Sequence, residues 1–120
     1  MEKYFNLHLK YAFIAIVLLV AIMYVSLLPK IELPKTNIFQ ADKIVHFSMY
    51  FILSVALFKG FFNVNLKKSL TFACVLSFLY GFIVEILQYS LTSTRMFDVF
   101  DIFANGMGAI FAYLIVSKYL

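Results

Sequence analysis

Four long apolar stretches, separated by short polar segments, restrict the fold of this chain more than any other feature. They cover residues 11–28, 43–62, 69–91 and 98–116. About 20 apolar residues are enough for an α-helix to cross a bilayer, whereas membrane-spanning strands alternate apolar and polar residues. Because 64% of the residues are hydrophobic and only 13% are charged, the chain lacks the polar residues that cover a water-soluble domain. The sequence therefore predicts an all-α membrane protein, a single domain over residues 1–120 with four transmembrane helices in a compact bundle.

The lysine and arginine residues favour one orientation of these spans. After four crossings, both termini and the turn between spans two and three lie on the same side of the bilayer. That side holds Lys3, Lys10, Lys59, Lys67, Lys68 and Lys118, and the other side holds Lys30, Lys35, Lys43 and Arg95. Because basic residues accumulate on the cytoplasmic side, we expect both termini to be cytoplasmic. No basic patch is interleaved with aromatic residues, so we expect a lipid bilayer around the chain and no nucleic-acid partner.

Polar side chains from three of the spans gather at the outer side of the predicted bundle. Spacings of three, four, seven or eight residues place most members of each set on one helix face. Span two contributes Asp42, Lys43, His46 and Tyr50, span three Glu85 and Gln88, the following loop Arg95, and span four Asp98, Asp101 and Asn105. Since all of them fall at about one depth, we expect a single outward-facing polar site.

Glu85 has the highest free-energy cost of placement among these residues, because it lies more than one turn inside its apolar run. An ionised carboxylate at the centre of a membrane helix costs roughly 2.5–3.5 kcal/mol, and less toward the interface. We therefore expect Glu85 to face the bundle interior, where Arg95, Lys43 or His46 could donate to it. The alternative is that its carboxyl is protonated, since burial disfavours the charged form.

Several of these residues also have ordinary structural explanations. Asp42 and Asp98 each stand at the start of a span, where an aspartate commonly caps a helix. A bond from Glu85 to a basic partner could fix the helix register, Asn105 could join two helices, and Tyr50 could be an interfacial aromatic. These explanations do not account for the convergence, because caps and register contacts should occur at both sides of the membrane.

Small residues recur at every fourth position of span four, at Ala104, Gly108 and Ala112. Such a spacing lets a neighbouring helix approach closely. We expect this face to be a packing surface and not part of the polar site.

Three segments carry the polar residues, "DKIVHFSMYFIL", "GFIVEILQ" and "RMFDVFDIFANGMGAIFA". In order and spacing they resemble the VanZ-like family of small bacterial membrane proteins. The most characteristic block is D-x-x-D-x-x-A-N-x-x-G, here Asp98 to Gly108, and the second is D-K-x-x-H-F, here Asp42 to Phe47. The resemblance extends from Asp42 to Ala112, and it implies a multi-pass protein of the bacterial cytoplasmic (inner) membrane.

The resemblance also implies a role in the cell envelope. The family's namesake is an accessory protein associated with resistance to the glycopeptide antibiotic teicoplanin. We therefore expect an envelope protein whose polar site binds or acts on a lipid-linked or anionic envelope substrate.

A catalytic hypothesis gives the polar residues distinct roles. His46 and Glu85 would be the acid–base pair, because such groups can be tuned toward neutral pH. Asp98 and Asp101 could hold Mg²⁺ or Ca²⁺, which prefer oxygen ligands. Arg95 offers a planar fork of donors that suits a phosphate. The residues expected to bind substrate are Asp42, Lys43, Tyr50, Gln88, Arg95 and Asn105.

Two alternatives remain open. In the first, the site binds a partner protein, a lipid headgroup or a glycopeptide-type ligand without chemistry. Isosteric replacement of Glu85 or His46 should then be tolerated better than loss of the Arg95 charge. In the second, the chain serves in transport or proton relay, which would need an oligomer because four spans are few. The sequence leaves open whether a reaction is catalysed, whether a metal is bound, and which oligomer forms.

Overall fold

Each apolar stretch forms one α-helix in the computed structural model, which describes residues 2–28, 38–61, 65–92 and 98–120. The helices are α1 (Glu2–Leu27), α2 (Ile38–Phe61), α3 (Leu66–Leu91) and α4 (Val99–Ser117). All four are long and apolar enough to cross a membrane, and no strand occurs in the described part of the chain. These findings confirm the prediction of an all-α, multi-pass membrane protein with four transmembrane helices.

The helices extend beyond the apolar stretches, most clearly at their starts. α1 begins at Glu2, whereas the predicted span begins at Tyr11, and α2 begins at Ile38, ahead of the predicted Lys43. Hydropathy marks the part of a helix that lies in the hydrocarbon, but polar residues can continue the same helix into the interface. The expectation that Asp42 caps α2 is therefore wrong, because Asp42 lies inside that helix. Asp98 does cap α4, as expected.

Contacts between helix ends fix an alternating up-and-down order. Gln88, near the end of α3, donates to the carbonyl of Ser26, near the end of α1, at 3.0 Å. Lys43, near the start of α2, contacts Asp98 at the start of α4 at 2.7 Å. Glu85 of α3 also contacts Asp98, at 2.9 Å. The ends of α1 and α3 and the starts of α2 and α4 therefore meet at one end of the bundle, here called the polar end.

Close packing of α4 against α2 brings their polar starts together. Ala104, Gly108 and Ala112 are all buried, which confirms the predicted packing face. A Cβ atom at Gly108 would collide with the backbone carbonyl of Phe47 and lie 3.1 Å from the amide nitrogen of Phe51. Only a glycine permits this approach of two backbones, so Gly108 sets the separation of α2 and α4 just below the polar end.

We predict that Gly108→Ala destabilises the protein by about 1–3 kcal/mol, because the added methyl group must push two helix backbones apart. Gly106→Ala is the matched control, since its Cβ would meet only the ring of Phe78, at 3.0 Å and 3.2 Å, and a ring can turn aside. Thermal unfolding in detergent, followed by loss of helical circular dichroism, measures both. Equal stability of the two variants would contradict the proposed role of Gly108.

Candidate functional site

Lys43 is the centre of an ionic network at the polar end. Its ammonium contacts Asp42 at 3.3 Å, Asp98 at 2.7 Å and one oxygen of Asp101 at hydrogen-bonding distance. An ammonium has three donors, so three carboxylates match its capacity. Its side chain is mostly buried, with 17% exposed. The network joins α2 to α4. The positive charge of Lys43 partly neutralises the negative charge of the three aspartates.

His46 lies one turn below Asp42 on α2 and faces the same network. Its Nδ1 donates to the Oδ1 of Asn105 on α4 across 3.1 Å. Its Nε2 lies 3.5 Å from Asp42 Oδ1 and 3.7 Å from Asp101 Oδ1. The imidazole is therefore held on one side by an amide and flanked on the other by two carboxylates from different helices. Only 15% of its side chain is exposed.

Glu85 and Asp98 together form the N-terminal cap of α4. The Asp98 side chain accepts from the amide of Phe100 at 2.9 Å, and the Glu85 carboxylate accepts from the amide of Asp98 at 2.9 Å. In an ordinary capping box, a glutamate at the third helical position makes this second bond. Here that position is Asp101, which is bound to Lys43. A neighbouring helix supplies the glutamate instead, so the cap also ties α3 to α4.

Asp98 lies just before the membrane-spanning part of α4. Partial burial raises the pKa of its carboxyl, but the hydrogen bond and charge of Lys43 and the amide of Phe100 lower the pKa by more. The pKa therefore lies below its ordinary range. Asp98 consequently remains a carboxylate at neutral pH, able to cap the helix and pair with Lys43 at once.

Tyr50 and Asn105 form the floor of the site. Tyr50 is 1% exposed and Asn105 is 2% exposed. At Gly81 on α3, a Cβ atom would come within 2.8 Å of the Tyr50 ring and 2.9 Å of the Asn105 amide nitrogen. Because Gly81 has no side chain, both groups can pack against α3 at this point. Tyr50 and Asn105 thereby close the site toward the interior of the bundle.

Gln88 and Glu85 make contacts that the sequence did not predict. Gln88 donates to Ser26 of α1, so its amide is used for helix packing. The contacts of Glu85 run to a backbone amide, whereas Lys43 and His46, two of its three expected donors, contact aspartates. Arg95 lies outside the described residues. Glu85 joins the network through the amide of Asp98. The other predicted residues that the structure brings together are Asp42, Lys43, His46, Tyr50, Asp98, Asp101 and Asn105.

Sequence reasoning did not identify the buried serines beneath the site. The hydroxyls of Ser54 and Ser77 both donate to the backbone carbonyl of Tyr50, at 2.7 Å and 3.3 Å. Ser54 follows Tyr50 by one helical turn, and Ser77 precedes Gly81 by one turn on α3. A serine one turn from a predicted site residue inside an apolar span is the signal that could have drawn attention to them, because such a hydroxyl needs a partner.

Comparison with known proteins gives two matches. The family model described as VanZ/LLP1 matches residues 3–119. An uncharacterized protein of Schizosaccharomyces pombe is 28% identical over 116 residues, which cover 97% of this chain and 68% of that protein. No solved structure matches the chain. Because this relative is fungal, the similarity does not establish the bacterial source that the sequence resemblance implied.

Variants of Glu85 should separate its role as a hydrogen-bond acceptor from its charge. Glu85→Gln keeps an acceptor for the Asp98 amide and should lose about 1 kcal/mol, since a neutral acceptor bonds more weakly than a carboxylate. Glu85→Leu removes the acceptor and should lose about 3 kcal/mol. Thermal unfolding in detergent compares the two with the wild type. If both variants lose the same stability, the bond to Asp98 is not what Glu85 contributes.

Proposed function

The chain belongs to the VanZ/LLP1 family, and from this premise we propose that its polar end binds the anionic headgroup of a lipid-linked envelope molecule. We further propose that His46 supplies acid–base chemistry to that headgroup. The proposal keeps the sequence-based assignment of the site and leaves aside any link to antibiotic resistance, which neither match supports.

The position of His46 is the observation that carries this proposal. Three helices bring titratable groups to one place. Charged groups inside a membrane bundle cost free energy, so a cluster of them marks a functional site by default. An imidazole that an amide holds in one orientation, with carboxylates nearby, can act as a general acid or base. Asp42 and Asp101 would hold His46 in this role, and Asn105 would fix its tautomer.

A groove between α3 and α4 supports a lipid as the source of the headgroup. It encloses about 450 Å³ and is lined mainly by apolar residues, among them Phe78, Gly106 and Ile110. Gly106 directly follows Asn105, so the groove begins at the depth of the site floor. A hydrocarbon chain lying in this groove would keep its headgroup near the polar end without leaving the bilayer.

The positive charge for the anion is assigned to Arg95. Lys43 was expected to share this role, but its ammonium is bound by three aspartates. An anion would have to displace one of them to reach it. Arg95 precedes the cap of α4 by three residues, and its guanidinium would contact two oxygens of a phosphate. Asp42, Tyr50 and Asn105 would then position the headgroup.

A second candidate is a non-catalytic accessory protein that binds the same class of headgroup, a glycopeptide-type ligand or a protein partner. The bond from the Asp98 amide to Glu85 favours it, because one half of the expected acid–base pair then serves a helix cap. In addition, every buried polar side-chain atom of the described residues has a hydrogen-bond partner. Such a saturated network suits a rigid binding surface as well as an active site.

We predict that the purified chain in lipid nanodiscs binds an isoprenyl phosphate but not the corresponding alcohol. Arg95→Gln should weaken binding about tenfold, because the bidentate ion pair is lost. His46→Gln should bind about as well as the wild type. Calorimetric titration measures these affinities, and equal binding of phosphate and alcohol would refute the headgroup proposal.

Lipid mass spectrometry then separates the catalytic candidate from the accessory one. The wild type is incubated with a total membrane-lipid extract, and His46→Gln serves as the matched variant. The catalytic proposal expects the wild type to convert a retained anionic lipid to a product of different mass, and His46→Gln to retain that lipid unchanged. If the wild type also leaves every retained lipid unchanged, the accessory role is favoured.

The outward orientation of the polar end is part of the proposal, and it rests on the excess of lysines at the other end. In a Cys74→Ser background, single cysteines at Asn65 and Lys118 should react with an impermeant maleimide only in inverted membrane vesicles. A cysteine at Thr92 should react only in right-side-out vesicles. The opposite labelling pattern would place the polar end in the cytoplasm.

A further inference from the structure

We propose that Asp42, His46 and Asp101 form a binding site for one divalent transition-metal ion of the Zn²⁺ or Mn²⁺ class. The proposal rests on the proposed function in one respect, since a water molecule bound to the ion would then exchange the proton that is assigned there to His46, while Arg95 remains the group that binds the anion. Binding of the ion itself is measured without any headgroup.

The tautomer of His46 is the first argument. Its Nδ1 carries the proton, because it faces the carbonyl oxygen of Asn105, which can only accept. In a neutral imidazole, Nε2 then presents a lone pair. That lone pair faces oxygens of Asp42 and Asp101, so three electron-rich atoms point at one another. The Lys43 ammonium contacts the same Asp101 oxygen and the second oxygen of Asp42, so a metal ion bound to Nε2 would share the Asp101 carboxylate with this ammonium.

The distances from His46 Nε2 to the two carboxylate oxygens fit ligands of a shared metal ion better than they fit N–H···O hydrogen bonds. Nε2 lies 3.5 Å and 3.7 Å from the two carboxylate oxygens, and the three atoms lie within 4.8 Å of one another. A good N–H···O hydrogen bond measures about 2.7–3.2 Å, which is shorter than either separation. Ligand atoms about 2.1 Å from a tetrahedral metal are about 3.4 Å apart. The separations at His46 match this value with little adjustment.

The ligand types define the class of ion. One imidazole and two carboxylates suit Zn²⁺ or Mn²⁺, whereas Ca²⁺ and Mg²⁺ prefer oxygen alone. The bond from His46 to Asn105 is the second-shell contact that metal-binding histidines usually make. Three protein ligands leave a further position open for water or substrate, as in catalytic zinc sites.

The charge balance of the polar end is consistent with an additional cation. Among the described residues, four carboxylates lie in this network: Asp42, Glu85, Asp98 and Asp101. One ammonium, that of Lys43, opposes them. The sequence suggested that Asp98 and Asp101 would share an ion. In the structure both aspartates contact Lys43, but only Asp101 also lies beside His46, whereas Asp98 caps α4.

The test titrates ZnCl₂ and MnCl₂ into the full chain in nanodiscs after treatment with a chelator. We expect one ion per chain, and affinity reduced at least about tenfold by Asp101→Asn or His46→Gln. Asp98→Asn is the matched control, because it removes an equal charge from the same network while asparagine still caps α4. His8→Gln, at the opposite end of the bundle, controls for the other histidine. Both controls should keep wild-type affinity.

Electron spin-echo spectroscopy of the Mn²⁺-loaded chain gives an independent readout. A directly bound imidazole nitrogen should be detected in the wild type and in His8→Gln, and lost in His46→Gln. If either ligand variant fails to fold, Asp42→Asn decides the matter, because that side chain is 46% exposed and tolerates replacement.

Three outcomes would overturn the metal site. They are absence of stoichiometric binding, equal loss of affinity in Asp98→Asn and Asp101→Asn, and absence of a bound nitrogen. Loss of headgroup binding with metal binding intact would instead reject the proposed function alone.

Discussion

Neutralisation of buried charge is the constraint on which the arrangement of this bundle depends. A charged side chain inside a membrane protein must find partners, because lipid cannot solvate it. Lys43 of α2 finds them on α4, in Asp98 and Asp101. The starts of these two helices must therefore lie side by side. Gly108 permits that closeness two to three turns further along α4, since no side chain separates α4 from the backbone at Phe47.

The same constraint extends to the other two helices through neutral hydrogen bonds. α3 is fixed by the bond from the Asp98 amide to Glu85, and α1 by the bond from Gln88 to the Ser26 carbonyl. In each case a polar side chain of α3 meets a backbone group near the end of another helix. Such groups lack partners within their own helix, so these contacts satisfy the side chain and the helix end together. The bundle is thus cross-linked at the polar end.

The sequence was sufficient to predict the fold and most of the polar residues that converge at the polar end, but not their pairing. Apolar runs of membrane-spanning length define the helices, and periodicity places Asp42 with His46 on one face of α2 and Asp101 with Asn105 on one face of α4. Partners depend on tertiary register, which one sequence does not reveal. For Glu85 the expectation was a basic partner or a protonated carboxyl, and the contact with the backbone amide of Asp98 was not foreseen. Gln88 was grouped with the site for the same reason, because its partner lies on the helix most distant in sequence.

Side-chain exposure decreases steadily from the outer surface of the polar end toward the interior of the bundle, so the site opens toward the membrane interface. Asp42 is nearly half exposed, His46 is mostly buried, and Asn105 is fully buried. A charged group entering from the interface would meet carboxylates first, then the imidazole, and would stop at Asn105 above Tyr50. A network that served only to hold helices together would not need its single imidazole at the boundary between the exposed and buried residues. That position agrees with the proposed exchange of protons with a headgroup that remains in contact with water.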